Sequence, residues 1–132
     1  MHMNFGFASA NFIDRFRPGE IFGMGLSDHE FFNQAGGMLR ALDEPFVSFL
    51  ITVSNHSPYR LPVEHRSLRL GRLEGTLLGN YLQSVHYFDD VFGRFVEGLR
   101  QSGLLERSVV VVWGNLIPYL WTAWTQRSAD PR

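Results

Sequence analysis

The sequence predicts an α/β fold with a parallel βαβ core, on three observations. The first is Pro45-Phe46-Val47-Ser48-Phe49-Leu50-Ile51-Thr52-Val53, a near-continuous apolar run that stops abruptly at Ser54-Asn55-His56. Such a run reads as a strand buried on both faces, and ligands in open α/β sheets bind beyond the carboxyl ends of such strands. The second is Ser108-Val109-Val110-Val111-Val112-Trp113, a β-branched run ending in Gly114-Asn115. The third lies between them: Tyr81, Val85, Phe88, Phe92, Phe95 and Leu99 alternate steps of four and three, the spacing of an amphipathic helix. Strand, helix and strand in that order predict a right-handed crossover with parallel strands. His56 and Asn115 are then expected at one sheet edge, facing one crevice.

The remaining elements follow in chain order. Residues 1–26 mix Phe and Gly with little period, as in Phe5-Gly6-Phe7 and Phe22-Gly23-Met24-Gly25, and read as a loop-rich lead-in. Ser27-Asp28-His29-Glu30 forms a capping-box pattern, with Leu26 placed to staple against Phe31. A helix is expected from there, with Phe31, Phe32, Ala35, Met38, Leu39 and Leu42 on its apolar face and Pro45 barring continuation. After His56 the chain carries Pro58, Pro62, His65, Arg66, Arg69 and Arg72 without a sustained period, the mark of a surface excursion. Gly103 offers a left-handed stop to the long helix, whose polar side carries Asp89, Arg94, Glu97 and Arg100.

With 132 residues, 45% of them hydrophobic and 19% charged, the chain has material for one domain with a real core and too little for two. Twelve Phe and three Trp supply more apolar surface than so short a chain covers easily, which points to a neighbouring surface. The net charge of −1 excludes a field that would draw in nucleic acid or an anionic membrane. All twelve basic residues are Arg; Arg forks suit phosphate, but codon bias produces the same skew, and most of these Arg fall where solvated faces are expected. The absence of cysteine excludes a disulfide framework and leaves the redox compartment open. No basic region followed by an apolar leader is visible at the amino terminus, and the apolar runs fall short of the roughly 20 residues of a membrane helix.

Among residues able to carry chemistry, His56 comes first, because it follows a buried-strand pattern and precedes Ser57-Pro58, which restricts the backbone at the strand tip. The competing reading is a histidine that caps the turn through Asn55 and the local backbone. His86 precedes Asp89 and Asp90 on the long helix, a spacing that more often makes a surface i,i+4 pair than a metal site. His29 lies in the capping box and His65 among arginines; neither needs a catalytic role. Arg60, Arg66, Arg69 and Arg72 could receive an anionic headgroup, but a charge run on a connection is usually solvated. There is no Gly-x-Ser-x-Gly, Walker loop, His-Glu-x-x-His or dinucleotide fingerprint.

Four linked segments carry a family resemblance: Phe22 to Phe32, Phe49 to Tyr59 with its Ser-Asn-His, Tyr81 to Asp89, and Ser108 to Gly114. Over about residues 5–115 the chain resembles the lipoteichoic acid synthase family of phosphoglycerol transferases, within the sulfatase and alkaline phosphatase superfamily. The resemblance implies a fragment of an alkaline-phosphatase-like fold: a single partial sulfatase-like domain over 1–132, with the lead-in at 1–26, a family-like core at 27–115 and a divergent tail at 116–132. It also implies a membrane-anchored parent enzyme whose extracytoplasmic domain takes phosphoglycerol from a phosphatidylglycerol-type lipid, using a threonine nucleophile on a divalent metal, usually manganese. His56, with Asn55 beside it, matches the family's substrate-binding segment.

The departures decide what this chain is expected to do. The family's Gly-Asp-His metal motif is here Gly114-Asn115-Leu116, so Asn115 is a degenerate metal position and no bound metal is expected. The family's nucleophile and upstream acidic ligand are expected before Phe5. The leading reading is therefore a sulfatase-like piece that retains a substrate-side histidine but is inactive alone. The first alternative is a non-enzymatic domain that binds an anionic headgroup or glycan, or that self-associates through an exposed sheet edge. The second is a truncated reading frame without function. Where the chain resides is left open by its own residues.

Overall fold

The computed structural model describes residues 6–114. The lead-in, expected to be loop-rich, contains a small hairpin: β1 (Ile21–Phe22) pairs antiparallel with β2 (Gly25–Leu26), Ile21 opposite Leu26 and Phe22 opposite Gly25. Gly23 holds the turn at φ +57°, a conformation that favours glycine. Two-residue strands are too short to show alternation in the sequence, but the hairpin puts Phe22 and Leu26 into the core.

Helix α1 (Asp28–Arg40) starts where expected, with Ser27 Oγ accepting from the Glu30 amide at 3.3 Å. The return half of the capping box is replaced. The Ser27 amide donates to the Glu20 carbonyl at 2.8 Å, so the hairpin rather than the Glu30 side chain satisfies it. Phe32, Ala35, Gly36 and Leu39 form the buried stripe. Leu42, expected on that face, lies beyond the last turn and is 45% exposed.

Helix α2 (Leu77–Gln101) starts a turn earlier than the apolar spacing suggests, because Thr76 caps it through an acceptor bond from the Gly79 amide at 3.0 Å. It stops at Gly103, which takes the expected left-handed φ of +70°. Its buried positions are Gly79, Gln83, Ser84, Tyr87, Val91 and Leu99, a stripe displaced from the predicted one. Phe88, Phe92 and Phe95 are half-buried and meet Phe32 with ring centroids 6.2, 5.8 and 4.7 Å away. On the outer face Arg94 pairs with Asp90 at 2.6 Å; Asp90 is thus occupied by arginine rather than by the expected His86. Hydrogen bonds from Arg100 and then Gln101 pull the Glu97 carboxyl down to about 2. The core joins Phe22, Phe32, Leu61, Tyr87 and Val91, with a second cluster of Leu39, Leu99 and Leu104.

The two predicted core strands form no hydrogen-bonded ladder among the described residues. Their burial on both faces is not found there: Val47, Ile51, Val109 and Val111 are 84%, 67%, 92% and 71% exposed. The physical reason is the absence, among the described residues, of a neighbouring strand to pair the backbone and cover these side chains. The two runs nevertheless lie beside one another. Glu44 pairs with Arg107 at 2.9 Å where they begin, and the rings of Phe49 and Trp113 lie 5.3 Å apart further along. Between them and the aromatic side of α2 runs a groove of about 910 Å³.

Glycines within α2 separate propensity from packing. A Cβ at Gly93 meets open space, whereas one at Gly79 would overlap the Leu73 carbonyl oxygen. Gly93→Ala is expected to stabilise by about 0.5–1 kcal/mol and Gly79→Ala to destabilise by about 1–3 kcal/mol, measured by urea unfolding.

Candidate functional site

The apolar run ends in a tight double turn. The Val53 carbonyl accepts from the His56 amide at 3.1 Å, and the His56 carbonyl from the Tyr59 amide at 2.8 Å. Tyr59 is 1% exposed at φ +59°, a conformation that a bulky residue holds only when its surroundings impose it. Its ring stands edge-on to Tyr81 of α2 at 5.2 Å.

Both helices grip this turn. Asp28, the first residue of α1, accepts at Oδ1 from the amides of Val53 at 3.2 Å and Ser54 at 3.1 Å. Ser54 Oγ accepts in return from the Asp28 amide at 2.8 Å. From α2, Ser84 Oγ contacts both the Asn55 side-chain amide and the Tyr81 carbonyl. The Ser84 hydroxyl is the donor to both, so its one proton is shared between Asn55 Oδ1 and the Tyr81 carbonyl oxygen. The next amide of α1, that of His29, donates to Tyr87 Oη at 3.2 Å.

These contacts set the electrostatics. Burial pushes the Asp28 carboxyl up from its ordinary range, against the bonds from Ser54 and Val53 that favour the charged form. Bonds to a charged acceptor are worth about 1.5–3 kcal/mol each, so the direction means that desolvation outweighs them. Asp28 Oδ2 is buried with no hydrogen-bond partner among the described residues. Burial likewise raises the Tyr87 phenol.

His56 itself is exposed, and its Nδ1 lies 2.7 Å from the Ser57 carbonyl. A carbonyl only accepts, so Nδ1 carries the proton in this contact. Asn55, His56 and Gly114 all line the groove. Asn115 lies outside the described residues.

Other histidines have structural partners. His29 contacts the Asn33 amide at 3.2 Å. His65 reaches Glu20 at 2.9 Å, and its ring packs against Phe22 and Tyr87. Arg66, from the arginine group, donates to the Leu61 carbonyl at 2.8 and 2.6 Å.

Asp28 and Ser84 are the site residues that sequence reading missed. Asp28 passed as the interior of a capping box, although a carboxylate opening a helix that leads directly into an apolar run is a faint sign of a second partner.

Residues 4–119 match the Sulfatase family. The chain belongs to the sulfatase family, whose domain is an alkaline-phosphatase-like α/β fold. Within that class it is similar to lipoteichoic acid synthase 1 of Bacillus subtilis (strain 168), 32% identical over 95 residues, 72% of this chain and 15% of that protein. It is also similar to the lipoteichoic acid synthase-like protein YvgJ of the same organism, 32% identical over 117 residues, 87% of this chain and 19% of the relative. The lipoteichoic acid synthase of Staphylococcus saprophyticus is 32% identical over 92 residues, 70% of this chain and 14% of its own length. The chain thus spans less than a fifth of the length of these relatives. No solved structure matches it. No helix among the described residues is long and apolar enough to cross a membrane.

Among the described residues the groove's lining does not offer the donor set of a divalent-ion site. Glu44 is its one acidic lining residue among those described, and it is paired with Arg107. Among the described residues the His/Asp/Glu trio with clustered ligand atoms is Glu20, Glu64 and His65, which does not line the groove. An imidazole beside an amide lacks the charge that a divalent-cation site requires.

The raised Asp28 carboxyl has a pH signature. Its folded form holds the proton more tightly than the unfolded chain, so its contribution to stability is full below about pH 3.8 and declines as pH rises through the raised folded value. The carboxamide introduced by Asp28→Asn does not titrate. The stability of wild type relative to Asp28→Asn is expected to fall as pH rises above about 3.8, read as the difference in Tm across a pH series.

Proposed function

We propose that this chain forms the headgroup-binding side of a sulfatase-like, lipoteichoic-acid-synthase-like phosphoglycerol transferase or phosphoester or sulfate-ester hydrolase, as one partial domain over 1–132 without turnover of its own. The observation that carries the reading is the groove itself, where Asn55 and His56 lie with Gly114, the last described residue of the second run. The Glu44–Arg107 and Phe49–Trp113 contacts support co-directional runs and hence a parallel βαβ core. Substrate chemistry comes from the relatives: a phosphatidylglycerol-type headgroup or a glycan acceptor, contacted by His56 Nε2 and the Asn55 amide.

Titration of the full chain with glycerol phosphate is expected to saturate, and His56→Ala to weaken binding at least tenfold, about 1.4 kcal/mol. Unchanged affinity in the variant removes His56 from the site. Chelator-sensitive release of product from a phosphoglycerol or aryl phosphate ester would overturn the assignment of inactivity.

A second reading, self-association, is favoured by one observation. Val109, Val111 and Trp113 are exposed on a stretch with no charged residue and no ladder partner among the described residues, and unguarded strands of this kind pair with one another. Light scattering is expected to show mass rising with concentration, and Val109→Lys with Val111→Lys to abolish the rise. A constant monomer mass in the wild type contradicts this reading.

A further inference from the structure

We propose that Asp28 is the positioning residue of the Asn55-His56 tip, holding the peptide on which the imidazole is mounted. The inference rests on the reading of the groove as a headgroup site and adds to it a residue that touches no ligand. Asp28 is 0% exposed, and both bonds to its Oδ1 come from residues at least 25 positions further along the chain. It therefore caps another element, while Ser27 caps its own helix.

The peptide unit joining Val53 to Ser54 is the pivot. Its N–H donates to Asp28 and its C=O accepts from the His56 amide. A rotation of that peptide moves both bonds together, and His56, exposed and tied only to Ser57 through Nδ1, follows the turn. The return bond from the Asp28 amide to Ser54 Oγ closes the clamp from the other side. Amide capping alone is achieved by an uncharged Ser, Thr or Asn at much lower desolvation cost. Asp28 instead buries a carboxylate with one oxygen unpartnered among the described residues. What that carboxylate adds is two convergent charge-assisted bonds on adjacent amides, which fix orientation more tightly than a single hydroxyl.

The test uses the full chain, glycerol phosphate as probe, the His56 imidazole resonance as a report of orientation and circular dichroism as a check of folding. Asp28→Ala is expected to shift that resonance and weaken binding at least tenfold with the helical signal intact, while Asp28→Asn, which keeps an Oδ1 acceptor but loses the charge, is expected to weaken it by a smaller factor, about threefold. Ser54→Ala removes the Ser54 hydroxyl and its contacts with Asp28 but keeps both amide bonds to Oδ1, and is expected to shift the resonance and weaken binding about threefold, which keeps the test decisive if the alanine at 28 unfolds the chain. An unmoved His56 resonance in folded Asp28→Ala, or in Ser54→Ala, overturns the proposal. Undiminished binding by His56→Ala overturns the headgroup reading instead, and the resonance still judges Asp28.

Discussion

The reciprocal clamp between Asp28 and Ser54 is the constraint on which the rest of this structure depends. It ties the first turn of α1 to the end of an apolar run that has no strand partner among the described residues, through three hydrogen bonds. The first amides of α1 are satisfied by three different parts of the chain: Ser54, Tyr87 of α2, and Ser27. Helix starts normally leave these donors to solvent or to a local cap. Here they join the hairpin, both helices and the candidate site at one buried point.

From that point the molecule divides into two regimes. The α1–α2 interface and the hairpin enclose an aromatic core around Phe32, where deletion of a buried ring costs about 3–5 kcal/mol. The two extended runs contribute little of this. Apart from Phe46, Leu50 and Val53 their apolar side chains are exposed, their backbones lack a ladder among the described residues, and local opening is governed by such contacts. Phe88, Phe92 and Phe95 sit at the boundary, half-buried against Phe32 and lining the groove on their other side. The displaced burial stripe of α2 follows: the face meant for a sheet is covered on one side only.

Much of the helical framework was legible in the sequence, because its signals are local. Ser27 and Gly103 act at the positions their chemistry indicates, and the Phe88, Phe92 and Phe95 spacing names the face that meets α1. The hairpin was not legible, since two-residue strands are held by burial of Phe22 and Leu26 rather than by propensity. The apolar runs were read as strands buried on both faces, and among the described residues they carry neither a ladder nor that burial. At the site, His56 and Asn55 were visible as the polar end of an apolar run. Asp28 and Ser84 were not, because their partners lie 25 to 29 positions away and no spacing rule connects them.

The clamp makes the end of the first run more rigid than the run itself. Amide hydrogen exchange followed residue by residue measures this directly. The account predicts that Val53 and Ser54 exchange as slowly as the buried amides of α1, while Phe49, Ile51 and Val109 to Val111 exchange at rates near those of an open chain. Rapid exchange at Val53 and Ser54, with α1 still protected, would contradict it.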